Sequence, residues 1–151
     1  MFQLLLRYYK NHPAVYVKPY DGVINLLEKL KESGYKLAIL SNKADEIVKE
    51  IVKVCFKPGL FDIVQGQSVS LPLKPDPMSV LNIIDRLGID KKDVLYIGDS
   101  EVDYKTAKNA NLRFLIVNYG FRSQKELMDN GIPSISHVPT QEEIERAFDE
   151  K

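Results

Sequence analysis

An α/β fold, with helices on both faces of a parallel sheet, is what this sequence predicts, and three observations predict it. Helical and strand-like segments alternate along the chain. The strand-like segments are short apolar runs without clear polar alternation. Glycine or a capping residue stands at several of the junctions. Taken in order, Phe2, Leu5, Leu6 and Tyr9 share one face at helical spacing and predict a helix over about 2–11. Val23, Leu26, Leu27 and Leu30 form the buried stripe of a helix over 21–33, which Gly34 ends. A strand at 36–40 leads to a helix at 43–54, and a strand at 61–64 follows. Val80, Ile83, Ile84 and Leu87 give the stripe of a helix at 76–87, ended by Gly88. A strand at 94–97, a helix at 101–110 and a strand at 113–117 complete the alternation. Two later helices begin with capping boxes, Ser123 with Glu126 and Thr140 with Glu143, and Ile132 to Val138 is expected as a short edge strand.

At 151 residues and 44% hydrophobic content the chain can bury a sizeable core. Its 21 basic and 21 acidic residues cancel, which argues against a nucleic-acid or anionic-membrane surface. The single Cys55 excludes an internal disulfide, fits a reducing cytoplasm, and falls on the apolar side of a helix as a structural thiol. Met1 to Leu6 is too short for a signal sequence, and no apolar run reaches the length of a membrane span. His12 and His137 are far apart and lack ligand spacing, so surface or loop roles are expected. Tyr8, Tyr9, Tyr16 and Tyr20 are read as packing residues, and Lys91-Lys92-Asp93 as a solvated turn.

The chemistry concentrates in three segments. Leu95 to Ile97 is an apolar strand running into Gly98, and Asp99 and Asp103 follow four residues apart. If the helix starts at once, both carboxylates face the same side at the strand tip. Such a pair is costly unless a divalent cation or a lysine neutralises it. Asp99 or Ser100 also reads as an ordinary helix cap, and the strand alone leaves both readings open. A second run, Lys36 to Leu40, delivers Ser41-Asn42-Lys43, whose hydroxyl and free amides form an anion cradle or, again, a cap. The third is Lys74-Pro75-Asp76-Pro77, a lysine in a stiff loop before an amphipathic helix.

In this order the three segments resemble the motifs of the haloacid-dehalogenase-like phosphohydrolases, within them the phosphoglycolate phosphatase branch. Leu37 to Asn42 matches that family's second motif, Lys74 to Pro77 its third, and Gly98 to Asp103 its Gly-Asp-Ser-x-x-Asp fourth motif. Pro19 to Gly22 and Tyr119-Gly120 agree as well, so the resemblance runs from about Tyr8 to Gly120. It implies a Rossmann-like three-layer core over 19–151, preceded over 1–18 by a remnant of the helical cap and its hinge. It implies magnesium as cofactor, with Asp99 a ligand and Asp103 steadying the metal's waters or ligating it directly. It makes Ser41 a donor to a phosphoryl oxygen and Asn42 a backbone donor beside it. Lys74 balances the packed negative charge, and Lys74 and Ser41 count as catalytic. The implied substrate is a small phosphorylated metabolite such as phosphoglycolate, hydrolysed in the cytoplasm.

One departure matters more than these agreements. The family's first motif, Asp-x-Asp-Gly-Thr, carries the nucleophilic aspartate on the central strand of the sheet, and this sequence does not contain it. The expected chain is thus an N-terminally incomplete phosphatase, inactive alone, with the first, central strand missing. Unpaired buried backbone groups cost about 1–3 kcal/mol each, so the gap must be met somehow. A second copy in a homodimer, a complementing amino-terminal fragment, or Ala14 to Val17 as a surrogate strand would meet it. The competing expectation is a non-catalytic fragment or pseudoenzyme that keeps the fold as a binding or assembly module.

Overall fold

The computed structural model describes residues 17–120 and 122–149. The helix expected at 2–11, His12, and the Ala14 to Tyr16 part of the surrogate strand lie outside them. The chain divides into two compact units between Leu71 and Pro72.

In the first unit, helix α1 (Val23–Glu32) precedes a βαβ arrangement of strand β1 (Ala38–Ala44), helix α2 (Asp45–Cys55) and strand β2 (Ile63–Gln67). The two strands pair in parallel, with Ala38 opposite Ile63 and Leu40 opposite Gln65. A parallel pair needs a long crossover, which α2 supplies. Leu30 of α1, Ile47 and Val48 of α2, Leu60 and Ile63 are buried and form the apolar interior of this unit. Asp62 joins α1 to the start of β1 by accepting from Lys31 Nζ at 2.7 Å and from the Leu37 amide at 2.8 Å. Val17 is exposed and outside any strand, and its carbonyl oxygen accepts from Cys55 Sγ at 3.6 Å. Cys55 is half-buried, and loss of water around it pushes its thiol pKa up, as an inert structural thiol requires.

Strand β1 runs further than its apolar composition predicts. It continues through Ser41, Asn42 and Lys43 with an irregular register between Leu40 and Ala44, so helix α2 starts at Asp45 and not at 43. Asp45 explains the change: its carboxylate accepts from the Gly66 amide at 2.9 Å and pairs with Lys49 at 2.6 Å, tying the helix start to β2. The Lys49 hydrogen bond, with the Gly66 amide behind it, holds the Asp45 carboxyl below its ordinary value. Gly66 is buried against this junction, and a Cβ there would sit 2.5 Å from Asp45 Cα and 2.7 Å from the Lys43 carbonyl oxygen. Since both are backbone atoms, Gly66→Ala should cost about 1–3 kcal/mol, the usual range for overpacking. Chemical denaturation with an unchanged slope would register it.

The second unit repeats the βαβ pattern. Helix α3 (Met78–Leu87) and a short 3₁₀ turn at Lys91–Asp93 lead to strand β3 (Leu95–Gly98), helix α4 (Glu101–Ala110) and strand β4 (Arg113–Ile116). β3 and β4 pair in parallel from Leu95 opposite Arg113 to Gly98 opposite Ile116. Helix α3 starts two residues later than predicted, because the Asp76 carboxylate takes the Met78 amide at 2.9 Å. Gly88 caps it at φ 63°, a left-handed conformation that suits glycine. Helices α5 (Gln124–Asp129) and α6 (Gln141–Asp149) both begin with the capping boxes read from sequence. Ile116, Leu127 and Ile132 form a buried cluster, against which Tyr104 and Phe114 pack edge to face at 5.0 Å. Each such aliphatic burial contributes about 1.5–3 kcal/mol. The edge strand expected at 132–138 shrinks to one parallel bridge between Val117 and Ile135.

The described strands thus form two separate two-stranded parallel sheets. No described strand pairs with the second side of β1 or of β3, and Ile97, mid-strand in β3, is 44% exposed. The α/β class is as the sequence predicts.

Candidate active site

The turn after β3 is built around one carboxylate. Tyr96 is buried on β3, Gly98 ends the strand, and Ser100 caps α4 by accepting from the Asp103 amide at 3.3 Å. Asp103 lies on the first turn of α4 with only 6% of its surface exposed. Its Oδ1 accepts from Lys74 Nζ at 2.7 Å and from the Tyr96 hydroxyl at 2.9 Å. Its Oδ2 accepts from the Ser100 hydroxyl at 2.7 Å and from the Asp99 amide at 3.1 Å. An ionised carboxylate has about four acceptor positions, and these donors take them all.

Burial pushes the Asp103 carboxyl up, but the Lys74 charge and the hydrogen bonds from Lys74, Ser100 and the Asp99 amide outweigh it, so its pKa falls below the ordinary aspartate value. The same site acts in the opposite direction on Tyr96. Burial, then the Asp103 charge, drives its phenol far above the ordinary value and keeps it a donor.

Two glycines make room for the carboxylates. A Cβ on Gly98 would overlap Asp103 Cβ and Cγ, and a Cβ on Gly120 would overlap the Asp99 carboxylate. Gly120 therefore brings the segment after β4 directly against Asp99. Lys74 is fixed from its own side as well: the Asn109 side chain donates to the Pro75 carbonyl at 2.9 Å, and the Ser79 hydroxyl donates to the Pro72 carbonyl at 2.8 Å.

Lys74, Asp99 and Asp103 are thus assembled within the second unit, although Lys74 and Asp103 are separated by 29 residues in sequence. Ser41 and Asn42 lie in the first unit, near the carboxyl end of β1, where the Ser41 hydroxyl accepts from the Lys43 amide at 3.2 Å. Ser100 is the cap that sequence allowed and also a member of the Asp103 shell. Glu101 instead approaches Arg122 at 3.6 Å. His137 is exposed, with its Nε2 2.9 Å from Glu143. Sequence reading missed Tyr96, which passed as one more apolar strand residue. The available signal was its hydroxyl, which needs a partner wherever a tyrosine is buried.

Among the described residues no group of three or more His, Cys, Asp or Glu side chains gathers as a metal cage. The donor set fits a hard cation in a narrower sense. Magnesium keeps several waters and takes one or two carboxylates together with substrate phosphate, and Asp99 is a carboxylate of that type.

Comparison with known proteins places the chain among phosphatases in sequence and fold. The phosphoglycolate phosphatase of Aquifex aeolicus is 33% identical over 119 residues, covering 79% of this chain and 56% of that protein. The pyrophosphatase PpaX of Halalkalibacterium halodurans is 29% identical over 113 residues, covering 75% and 53%. A crystal structure from Lactobacillus delbrueckii subsp. bulgaricus, of a protein assigned as a phosphoglycolate phosphatase, superposes with a TM-score of 0.85 at 35% identity. It covers 97% of this chain and 60% of that one. The chain spans little more than half the length of these relatives. Residues 1–117 match the haloacid dehalogenase-like hydrolase family, a stretch that includes Ser41, Lys74, Asp99 and Asp103, and the chain belongs to that family.

Proposed function

We propose that this chain is the core of a magnesium-dependent phosphatase acting on a small phosphate monoester, with phosphoglycolate the favoured substrate. The observation that carries the reading is Lys74 held 2.7 Å from the buried Asp103, beside Asp99, at the carboxyl end of β3. A lysine tied this firmly is a fixed positive charge, which is what a transferring phosphoryl group requires as negative charge spreads over its oxygens. Asp99 is the carboxylate offered to magnesium, which when bound neutralises phosphate charge. The saturated shell of Asp103 favours the indirect one of its two expected roles. The resemblance makes Ser41 and Asn42, on β1 of the first unit, donors to phosphoryl oxygens.

No residue of the 151 supplies the Asp-x-Asp-Gly-Thr nucleophile, so hydrolysis needs a segment that carries it. That absence is also what favours the second reading, a non-catalytic module. The substrate is less sharply drawn than the chemistry, since a named pyrophosphatase is nearly as similar as the named phosphoglycolate phosphatases. The single Cys55 supports a cytoplasmic location, and no helix among the described residues is long and apolar enough to cross a membrane.

Magnesium titration tests the site directly. With a single carboxylate offered, the isolated chain should bind magnesium weakly, and Asp99→Asn should abolish that binding in calorimetry or in a metal-dependent melting shift. Equal affinity in the two proteins would remove Asp99 as a ligand.

A further inference from the structure

We propose that Tyr96 is a positioning residue for Lys74: its buried hydroxyl takes the remaining acceptor position on the Asp103 oxygen that carries the Lys74 ammonium. The proposal rests on the reading of this turn as a phosphate site, and it adds a residue that the motifs do not contain.

The geometry has three parts. The Tyr96 hydroxyl and Lys74 Nζ converge on the same oxygen, Oδ1, at 2.9 and 2.7 Å. The Ser100 hydroxyl and the Asp99 amide hold the other oxygen, so the carboxylate cannot rotate without breaking a bond at each end. Tyr96 comes from the middle of β3, a rigid element paired along its length with β4, whereas Lys74 comes from a loop. The Lys74 ammonium is thereby tied to a strand through the Asp103 carboxylate. Without the hydroxyl, Oδ1 keeps an open acceptor position inside a buried site, and water or a rotated Lys74 will fill it. Side chains that act on a reacting group need support of this kind, because a site left unsupported is looser by about 1 Å.

Tyr96→Phe removes the hydroxyl with little change of shape. In lysine-selective NMR, the Lys74 ammonium protons should exchange slowly in the wild type and at least about fivefold faster in Tyr96→Phe. Affinity for inorganic phosphate in the presence of magnesium should fall by about tenfold, while magnesium affinity stays within about twofold. Lys74→Ala added to Tyr96→Phe should weaken phosphate no further than Lys74→Ala alone, since both act through one group. Replacing Tyr96 with p-aminophenylalanine, which keeps a donor, should restore slow exchange. Unchanged Lys74 exchange in a folded Tyr96→Phe protein would overturn the proposal. Should that variant not fold, the wild-type hydroxyl proton decides: a slowly exchanging Tyr96 resonance close to the Lys74 ammonium supports the proposal, and its absence overturns it. If inorganic phosphate does not bind the wild type at all, the phosphatase reading fails, and the exchange rates still decide the role of Tyr96.

Discussion

Lys74→Ala should lower phosphatase turnover by at least about a hundredfold in a protein that joins this chain to an amino-terminal segment carrying Asp-x-Asp-Gly-Thr and a cap. That is the scale on which one preorganised charge-stabilising group acts. The reason lies in where the lysine is held. Its side chain is 12% exposed and bound to a carboxylate that three other donors also hold, so its charge needs little reorganisation when a phosphoryl group arrives. Lys74→Arg should not rescue it fully, because a planar fork does not replace a compact ammonium between Oδ1 and a phosphate. Release of phosphate from p-nitrophenyl phosphate and from phosphoglycolate measures both variants. A loss of less than about threefold in Lys74→Ala would show that the lysine is structural only.

Asp103→Asn should be the most destabilising single change in the second unit. It removes the carboxylate that Lys74 pairs with at 2.7 Å and places an amide group where two donors converge, and breaking a buried ion pair costs about 3–5 kcal/mol. Urea denaturation should show the midpoint fall with an unchanged slope. The same carboxylate gives the protein an acid limit. Because the folded pKa of Asp103 is depressed, its contribution is fully present above the ordinary aspartate value of 3.8 and is lost as pH falls through the lower folded value. Wild type should therefore lose stability below about pH 4 more steeply than Asp103→Asn, which has nothing to protonate there. Parallel acid curves for the two proteins would show that Asp103 is not held ionised by Lys74.

How much of this was readable from the chain differs by element. The stripe Val80, Ile83 and Ile84 is buried as its spacing requires, and Ser123 with Glu126 and Thr140 with Glu143 close both capping boxes. These are local patterns, in which the interacting residues lie within one or two turns of each other. Boundaries fixed by distant partners were less legible. β1 overran its apolar segment because Asp45 is tied to Gly66, 21 residues away. β2 runs over 63–67 where its apolar residues suggested 61–64, since Gln65 and Gly66 are buried despite their composition. In the turn after β3, the Asp99 and Asp103 spacing stood out in the sequence while leaving a helix cap and a cation site both open. Lys74 did not stand out, since nothing local links it to a helix 29 residues later, and only the resemblance to a family motif brought it in. Tyr96 escaped because a strand residue with an aromatic ring looks apolar until its hydroxyl partner is known.

In the phosphatase reading these residues stabilise charge and bind, while the attacking carboxylate comes from a segment that the 151 residues do not contain. Phosphate release by the pure 151-residue chain, with magnesium and with chelator, is the deciding measurement. No turnover above background is expected for this chain, and chelator-sensitive turnover is expected once the Asp-x-Asp-Gly-Thr segment is joined to it. Robust chelator-sensitive turnover by the 151-residue chain alone would contradict that expectation, because another residue would then be the nucleophile.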